Sequence, residues 1–173
     1  MDDFSVGPRL VKTMRRTALI CAVVTLAALA AHVLELPNKL ALEGPLWLAV
    51  QQNLYRGWGP IMGPFEVVAM LASWALVFLG PKNRAAWRLT LLAACLLSLA
   101  LGVFFTLNAP VNAAFAAWTP ATLPADWPSY RRRWELGHAI SFMLVLPACI
   151  LLLRVTWLDG LARRTRRPDP SAS

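Results

Sequence analysis

The stretch ELGHAISFMLVLPACILLLRVTWL, Glu135 to Leu158, decides how this chain is read. Between its first and last residues the only charged side chain is Arg154, and a helix of this length reaches about 36 Å, enough to cross a hydrocarbon core of roughly 30 Å. Three further stretches meet the same requirement: Thr17 to Leu36, Ile61 to Gly80 and Ala86 to Leu107. Across the 173 residues, 58% are hydrophobic, and the mean hydropathy of +0.53 lies outside the range of ordinary soluble domains. The expectation is an all-α integral membrane four-helix bundle. A basic segment at residues 1–16 precedes the membrane domain at 17–158, and a basic, disordered tail follows at 159–173.

The net charge of +8 is distributed by topology rather than gathered into a binding face. Twelve of the 17 Lys and Arg flank the same ends of the spans, in Arg9 to Arg16, in Lys82 to Arg88 and from Arg154 to Arg167. The positive-inside rule then places both termini in the cytoplasm of a bacterial-type inner or plasma membrane, leaving two outer loops. The lipid bilayer is the expected partner of the basic ends. Nucleic acid is not, because no aromatic and basic residues interleave in a recognisable motif. Cys21, Cys95 and Cys149 sit singly in three spans and read as small packing residues.

The basic start, the apolar run and Ala28-Leu29-Ala30 also have the form of a signal peptide, but the run is long enough to span and is expected to be retained. Pro37 is expected to end span one. In the first outer loop, Asn38 to Pro60, a short surface helix is predicted around Pro45 to Leu54. Gly59-Pro60 and Gly63-Pro64 punctuate the start of span two. In span three, Thr90, Ala94, Ser98, Gly102 and Thr106 recur at intervals of four, a small-residue stripe expected to face another helix. The second outer loop runs from Asn108 to Arg133, and Asp126-Trp127-Pro128 is expected to start the last helix outside the membrane.

The chemistry is concentrated at one depth. His32 and Glu35 fall roughly 22 and 27 Å along span one, Glu66 about 7 Å into span two, and Glu135 and His138 within about 5 Å of the start of span four. All five, with Asn108, therefore belong to the outer membrane level. Charged groups inside a span are costly and generally face partners or water. Carboxylates with a Glu-x-x-His pair on facing helices are the ligand pattern of metal-holding bundles. His32, Glu35, Glu66, Glu135 and His138 thus form a candidate site for iron, copper, manganese or zinc, or, without metal, a proton-relay or quinone-type pocket.

Each residue also has a plainer explanation: Glu135 can pair with Arg131, Glu35 with Lys39, and Glu66 with the dipole of a first helical turn. Asn108 and Asn112 suit hydrogen bonding to a substrate carbonyl or phenol, or simple helix termination. Arg131 shares a helix face with Glu135, while Arg132 and Arg133 suit contact with lipid phosphate.

Leu107-Asn108-Ala109-Pro110-Val111-Asn112 and Trp127 to His138, in particular Arg133-Trp134-Glu135 and His138, resemble the anthrone-oxygenase-like family of small four-span membrane proteins, many of which are classed only as a domain of unknown function. The resemblance implies oxidation of an anthrone to an anthraquinone by molecular oxygen, with Asn108, Asn112, Arg133, Trp134, Glu135 and His138 as the matching positions. Ile140-Ser141-Phe142 stands where the family pattern often has a basic residue. The reading is an oxidoreductase acting on a lipophilic aromatic or quinone-like small molecule. In it His138 and Glu135, with His32 and Glu35, are catalytic, and Asn108, Asn112, Arg131, Arg133 and Trp134 bind substrate. The rival is a non-enzymatic accessory or lipophile-binding protein whose polar layer only ties helices together.

Overall fold

A computed structural model describes residues 7–80 and 83–164, with side chains described as far as residue 158. Helix α1, Pro8–Ala41, has its proline at the start, where the missing N–H is not needed. It is followed by α2, Gly44–Asn53, and α3, Trp58–Leu79. Helix α4, Arg84–Val103, passes into a single π-helical turn, Phe104–Asn108, and then into α5, Ala109–Ala116. Helix α6, Trp127–Arg164, closes the chain.

Four segments are long and apolar enough to cross a membrane: Pro8–Ala41, Trp58–Leu79, Arg84–Ala116 and Trp127–Leu158. The molecule is a four-helix, multi-pass membrane bundle. Helix α1 packs on α3 and α6, and α4 packs on the same two, so the four close into a ring. The core is built largely of small side chains: Ala18, Ala22, Ala69, Ala93, Ala100 and Ala148 are fully buried with Leu97, Val145 and Leu152. Such residues let backbones approach closely in lipid. Leu34, Phe78, Met143 and Leu153 are exposed on the outside, as side chains facing hydrocarbon should be.

Several boundaries differ from expectation. Span one does not end at Pro37; α1 continues to Ala41. The interior proline is tolerated because the turn beyond it is anchored from α6, as described below. Span three does not end at Leu107 either. The π turn absorbs one extra residue, and Pro110 falls in the first turn of α5, where its missing donor costs nothing. Asn108 and Asn112 are therefore helical rather than in a loop. At the other end, α6 continues to Arg164, into the segment expected to be a disordered tail; residues 165–173 lie outside the described residues.

The small-residue stripe of span three is only half buried. Thr90 and Ala94 are inside, whereas Gly102 and Thr106 are exposed. A spacing of four overshoots the 3.6-residue turn by about 40° each time, so such a stripe winds around the helix. The buried face follows Ala86, Thr90, Ala93, Leu97 and Ala100 instead.

Helix α2 lies where the loop was predicted to be helical. Gly44 is needed there: a Cβ would meet Trp127 Cε2 at 2.8 Å. Trp47, fully buried, packs its ring 5.8 Å from Trp127 and 6.0 Å from Phe115. Gln52 Nε2 donates to the carbonyls of Phe115 and Trp118 at 2.7 and 2.8 Å, capping the end of α5. Gly57, at φ 87°, makes the turn into α3.

Candidate functional site

The expected polar layer exists, and its centre is a residue that the sequence treated as peripheral. Lys39 is 3% exposed. Its Nζ lies 3.1 Å from Glu135 Oε2, 3.8 Å from Glu35 Oε2 and 3.3 Å from His32 Nδ1, and 5.0 Å from the ring of Trp134. Glu35 also accepts a hydrogen bond from the Tyr55 hydroxyl. Burial first, then the hydrogen bond to Glu35 and the charges of Glu35 and Glu135, pushes the Tyr55 phenol well above its ordinary value, so it stays a donor.

Arg131 does not pair with Glu135. Its Nη1 donates to the carbonyls of Leu42 and Lys39 at 2.8 and 3.3 Å, and its guanidinium stacks 4.6 Å from the Trp127 ring. It thus satisfies the end of α1 beyond Pro37 and holds Lys39 in place, a structural task rather than the expected contact with substrate. Arg133 is exposed and donates to the Thr106 carbonyl of the π turn. It does not line the cavity described below.

Glu135 and His138 part company as well. Three residues along a helix separate two side chains by about 60°, enough for each to meet a different neighbour. Glu135 turns to Lys39 on α1, and His138 turns to Asn108 on the π turn. Asn108, 1% exposed, brings Nδ2 within 2.9 Å of the Trp134 carbonyl and 2.7 Å of His138 Nδ1. This close approach requires Gly137, because a Cβ there would overlap the Asn108 amide, with Nδ2 at 2.8 Å. Asn112 Oδ1 accepts from Trp134 Nε1 at 2.7 Å, which fixes the indole between the two histidines.

Lys39 decides the tautomer of His32: an ammonium has protons to give and no lone pair to offer, so Nδ1 accepts and the ring carries its proton on Nε2. Nδ1 of His138 lies against both the Asn108 amide nitrogen at 2.7 Å and the Trp134 carbonyl oxygen at 2.9 Å. Neither Nε2 has a protein partner among the described residues, and neither is among the buried, unpartnered atoms. Both residues line a cavity of about 840 Å³, within the usual range for small-molecule sites. Their rings are 4.2 Å apart. Two imidazole rings therefore border one space, with the N–H of His32 among its donors.

Much of the wall is aromatic and apolar, with Tyr55, Trp58, Phe104, Phe115 and Trp134 around the histidines and Leu29, Val67 and Leu101 deeper in, while Gln51, Gln52, Asn53 and Arg56 add polar groups from α2 and the turn after it. Exposed lining residues Asn53, Arg56 and Gly57 before α3, Gly59 and Pro60 on α3 and Phe105 on the π turn mark its mouth. Glu66 lines the same cavity and has no hydrogen-bond or ion-pair partner among the described residues.

The predicted set is thus divided in two. His32, His138, Glu66, Asn108, Asn112 and Trp134 line the cavity, whereas Glu35 and Glu135 stand behind it on Lys39. Among the described residues no three His, Cys, Asp or Glu side chains converge to hold a metal ion. The cation between Glu35, Glu135 and His32 is the Lys39 ammonium.

Lys39, Tyr55 and Trp58 are the site residues that sequence reasoning missed. Lys39 had a signal in its spacing, four residues from Glu35 and seven from His32, which places all three on one helix face. Comparison with protein-family models, with curated proteins and with solved structures returns no match. The fold and site define a class, a four-span membrane protein with a paired-imidazole cavity.

Proposed function

We propose that this protein is a membrane oxidoreductase acting on a lipophilic aromatic or quinone-like compound. The observation that carries the reading is the pair of imidazoles, the Nε2–H donor of His32 beside the ring of His138, set in an aromatic-lined cavity. Such a donor suits a carbonyl or phenolate oxygen and stabilises negative charge that develops on it. Asn108, Lys39 and, behind them, Glu135 position the imidazoles.

The resemblance to anthrone oxygenases supplies the reaction. A ring CH2 becomes C=O, one atom of O2 forming the carbonyl and the other leaving as water. A mouth bordered by α3 and the π turn suits a substrate that arrives from the bilayer. The distribution of basic residues supports termini in the cytoplasm of a bacterial-type inner membrane and a cavity at the outer level.

The test is oxygen uptake by the purified protein in lipid nanodiscs with anthrone as substrate, beside binding followed by tryptophan quenching. Wild type should bind and consume oxygen above the protein-free rate. His138→Ala should bind weakly and lose activity by about 100-fold while remaining folded. No binding by wild type sinks the reading.

The rival reading, a non-enzymatic scaffold, draws on the Lys39–Glu135 pair, which ties α1 to α6 without any substrate. It predicts binding without oxygen uptake, and a His138→Ala protein that melts early.

A further inference from the structure

The cavity wall carries one carboxylate, Glu66, whose function is not accounted for by the packing. Three carboxylates sit at this end of the bundle. Glu135 and Glu35 are both committed to Lys39, and Glu35 also receives the Tyr55 hydroxyl. Glu66 differs from both. It lies on α3, one turn beyond Met62 and beside Val67, all of which line the cavity, and no donor among the described residues reaches it. A carboxylate held inside a membrane span without a partner is costly to keep, and such residues mark function far more often than packing.

Its neighbours on the cavity wall narrow the function. The lining side chains of Leu29, Val67, Leu101 and Phe104 offer it no proton, and Gln51, Gln52, Asn53 and Arg56 line the wall without bonding to it. Thr25 Oγ1 and Ser141 are the hydroxyls at the deeper end. Thr25 is already engaged with the Cys21 carbonyl at 3.0 Å. The oxygen lone pairs of Glu66 are therefore available to whatever occupies the cavity. Across the same space stands the Nε2–H donor of His32, which has a proton to share but, with Nδ1 taken by Lys39, no lone pair with which to take one. Glu66 is the one carboxylate on the cavity wall.

We infer that Glu66 is the proton acceptor of this cavity, acting on a ring ketone whose carbonyl oxygen rests against the His32 imidazole. The assignment rests on the cavity being the substrate site proposed above. In the step, a C–H bond conjugated with the carbonyl breaks and its proton passes to a Glu66 oxygen. The electron pair left behind is delocalised onto the carbonyl oxygen, which becomes the enolate and takes a hydrogen bond from His32. No oxidant enters this step, and reversal returns a proton to the same carbon. The substrate class that follows is a lipophilic aryl ketone with an acidic ring C–H, as distinct from a fully oxidised quinone, which has no such proton to give.

Because the step precedes oxidation, it can be read without oxygen. Anthrone is incubated anaerobically in D2O with the protein in nanodiscs, and deuterium incorporation at the ring CH2 is followed by mass spectrometry against the protein-free rate. Wild type is expected to accelerate incorporation. Glu66→Gln, nearly isosteric, should bind anthrone as judged by tryptophan quenching and slow incorporation by about 100-fold or more. Glu66→Asp, which withdraws the carboxylate by one methylene, should fall in between, and it carries the test if the glutamine variant does not melt as wild type does. Incorporation by Glu66→Gln or Glu66→Asp at the wild-type rate overturns the inference, as does a wild type that binds anthrone without exchanging it. A wild type that fails to bind anthrone removes the substrate site itself, and the inference with it.

Discussion

Lys39 and Glu135 meet at 3.1 Å across α1 and α6, both nearly excluded from solvent at 3% and 4% exposure. One oxygen of Glu135, Oε1, has no partner at all. The pair is therefore under-satisfied, and its value lies in fixing the His32 tautomer and the register of two helices more than in net stability. Buried ion pairs are costly to desolvate and still more costly to break on one side.

Removing the ammonium should expose that imbalance. Lys39→Met leaves Glu135 buried without its cation and is expected to cost about 3 to 5 kcal/mol. Lys39→Met with Glu135→Gln should recover most of the loss, because no unpaired charge remains. Chemical denaturation in mild detergent measures both, and a double variant no better than the single one would show that the two residues are not coupled.

Gly137 and Asn108 form a second coupled pair. Gly137→Ala pushes a methyl group into the Asn108 amide and should destabilise the bundle by about 1 to 3 kcal/mol, the usual range for overpacking. Asn108→Ala clears that space, so Gly137→Ala should cost much less in an Asn108→Ala background. Equal costs in both backgrounds would place the two residues apart.

Arg131 is expected to act through α1 rather than through substrate. Arg131→Ala removes hydrogen bonds to two carbonyls beyond Pro37 and a cation over Trp127, for an expected loss of about 1 to 3 kcal/mol in a melt. Arg131→Lys should rescue little, since an ammonium cannot reproduce the planar fork. Affinity for anthrone measured well below the melting point should change less than twofold.

Tyr55 should make the protein sensitive to alkali. Its phenol is held above the ordinary value near 10 by burial and by Glu35, so its contribution is complete below about pH 10 and is lost as pH rises beyond that, where the unfolded chain ionises first. Wild type should therefore lose stability faster than Tyr55→Phe between about pH 10 and 11. Parallel losses in thermal melts over that range would show a phenol that ionises as freely folded as unfolded.

The number of spans, their rough limits and the depth of the polar residues follow from the sequence alone, because the length of an apolar run and the rise of a helix are local quantities. The small helix over Gly44–Asn53 and the start of α6 at Trp127 were legible for the same reason, from prolines and aromatic residues in fixed local patterns. The tertiary structure alone decided which side chains became partners. That Lys39 reaches Glu135, that Arg131 serves the end of α1, and that a π turn carries Asn108 onto Gly137 all depend on which helix faces meet. Those faces are chosen by packing between segments far apart in the chain. Glu135 and His138, one turn apart and alike in the sequence, were divided by it: one was drawn to a buried cation, the other left facing an open cavity.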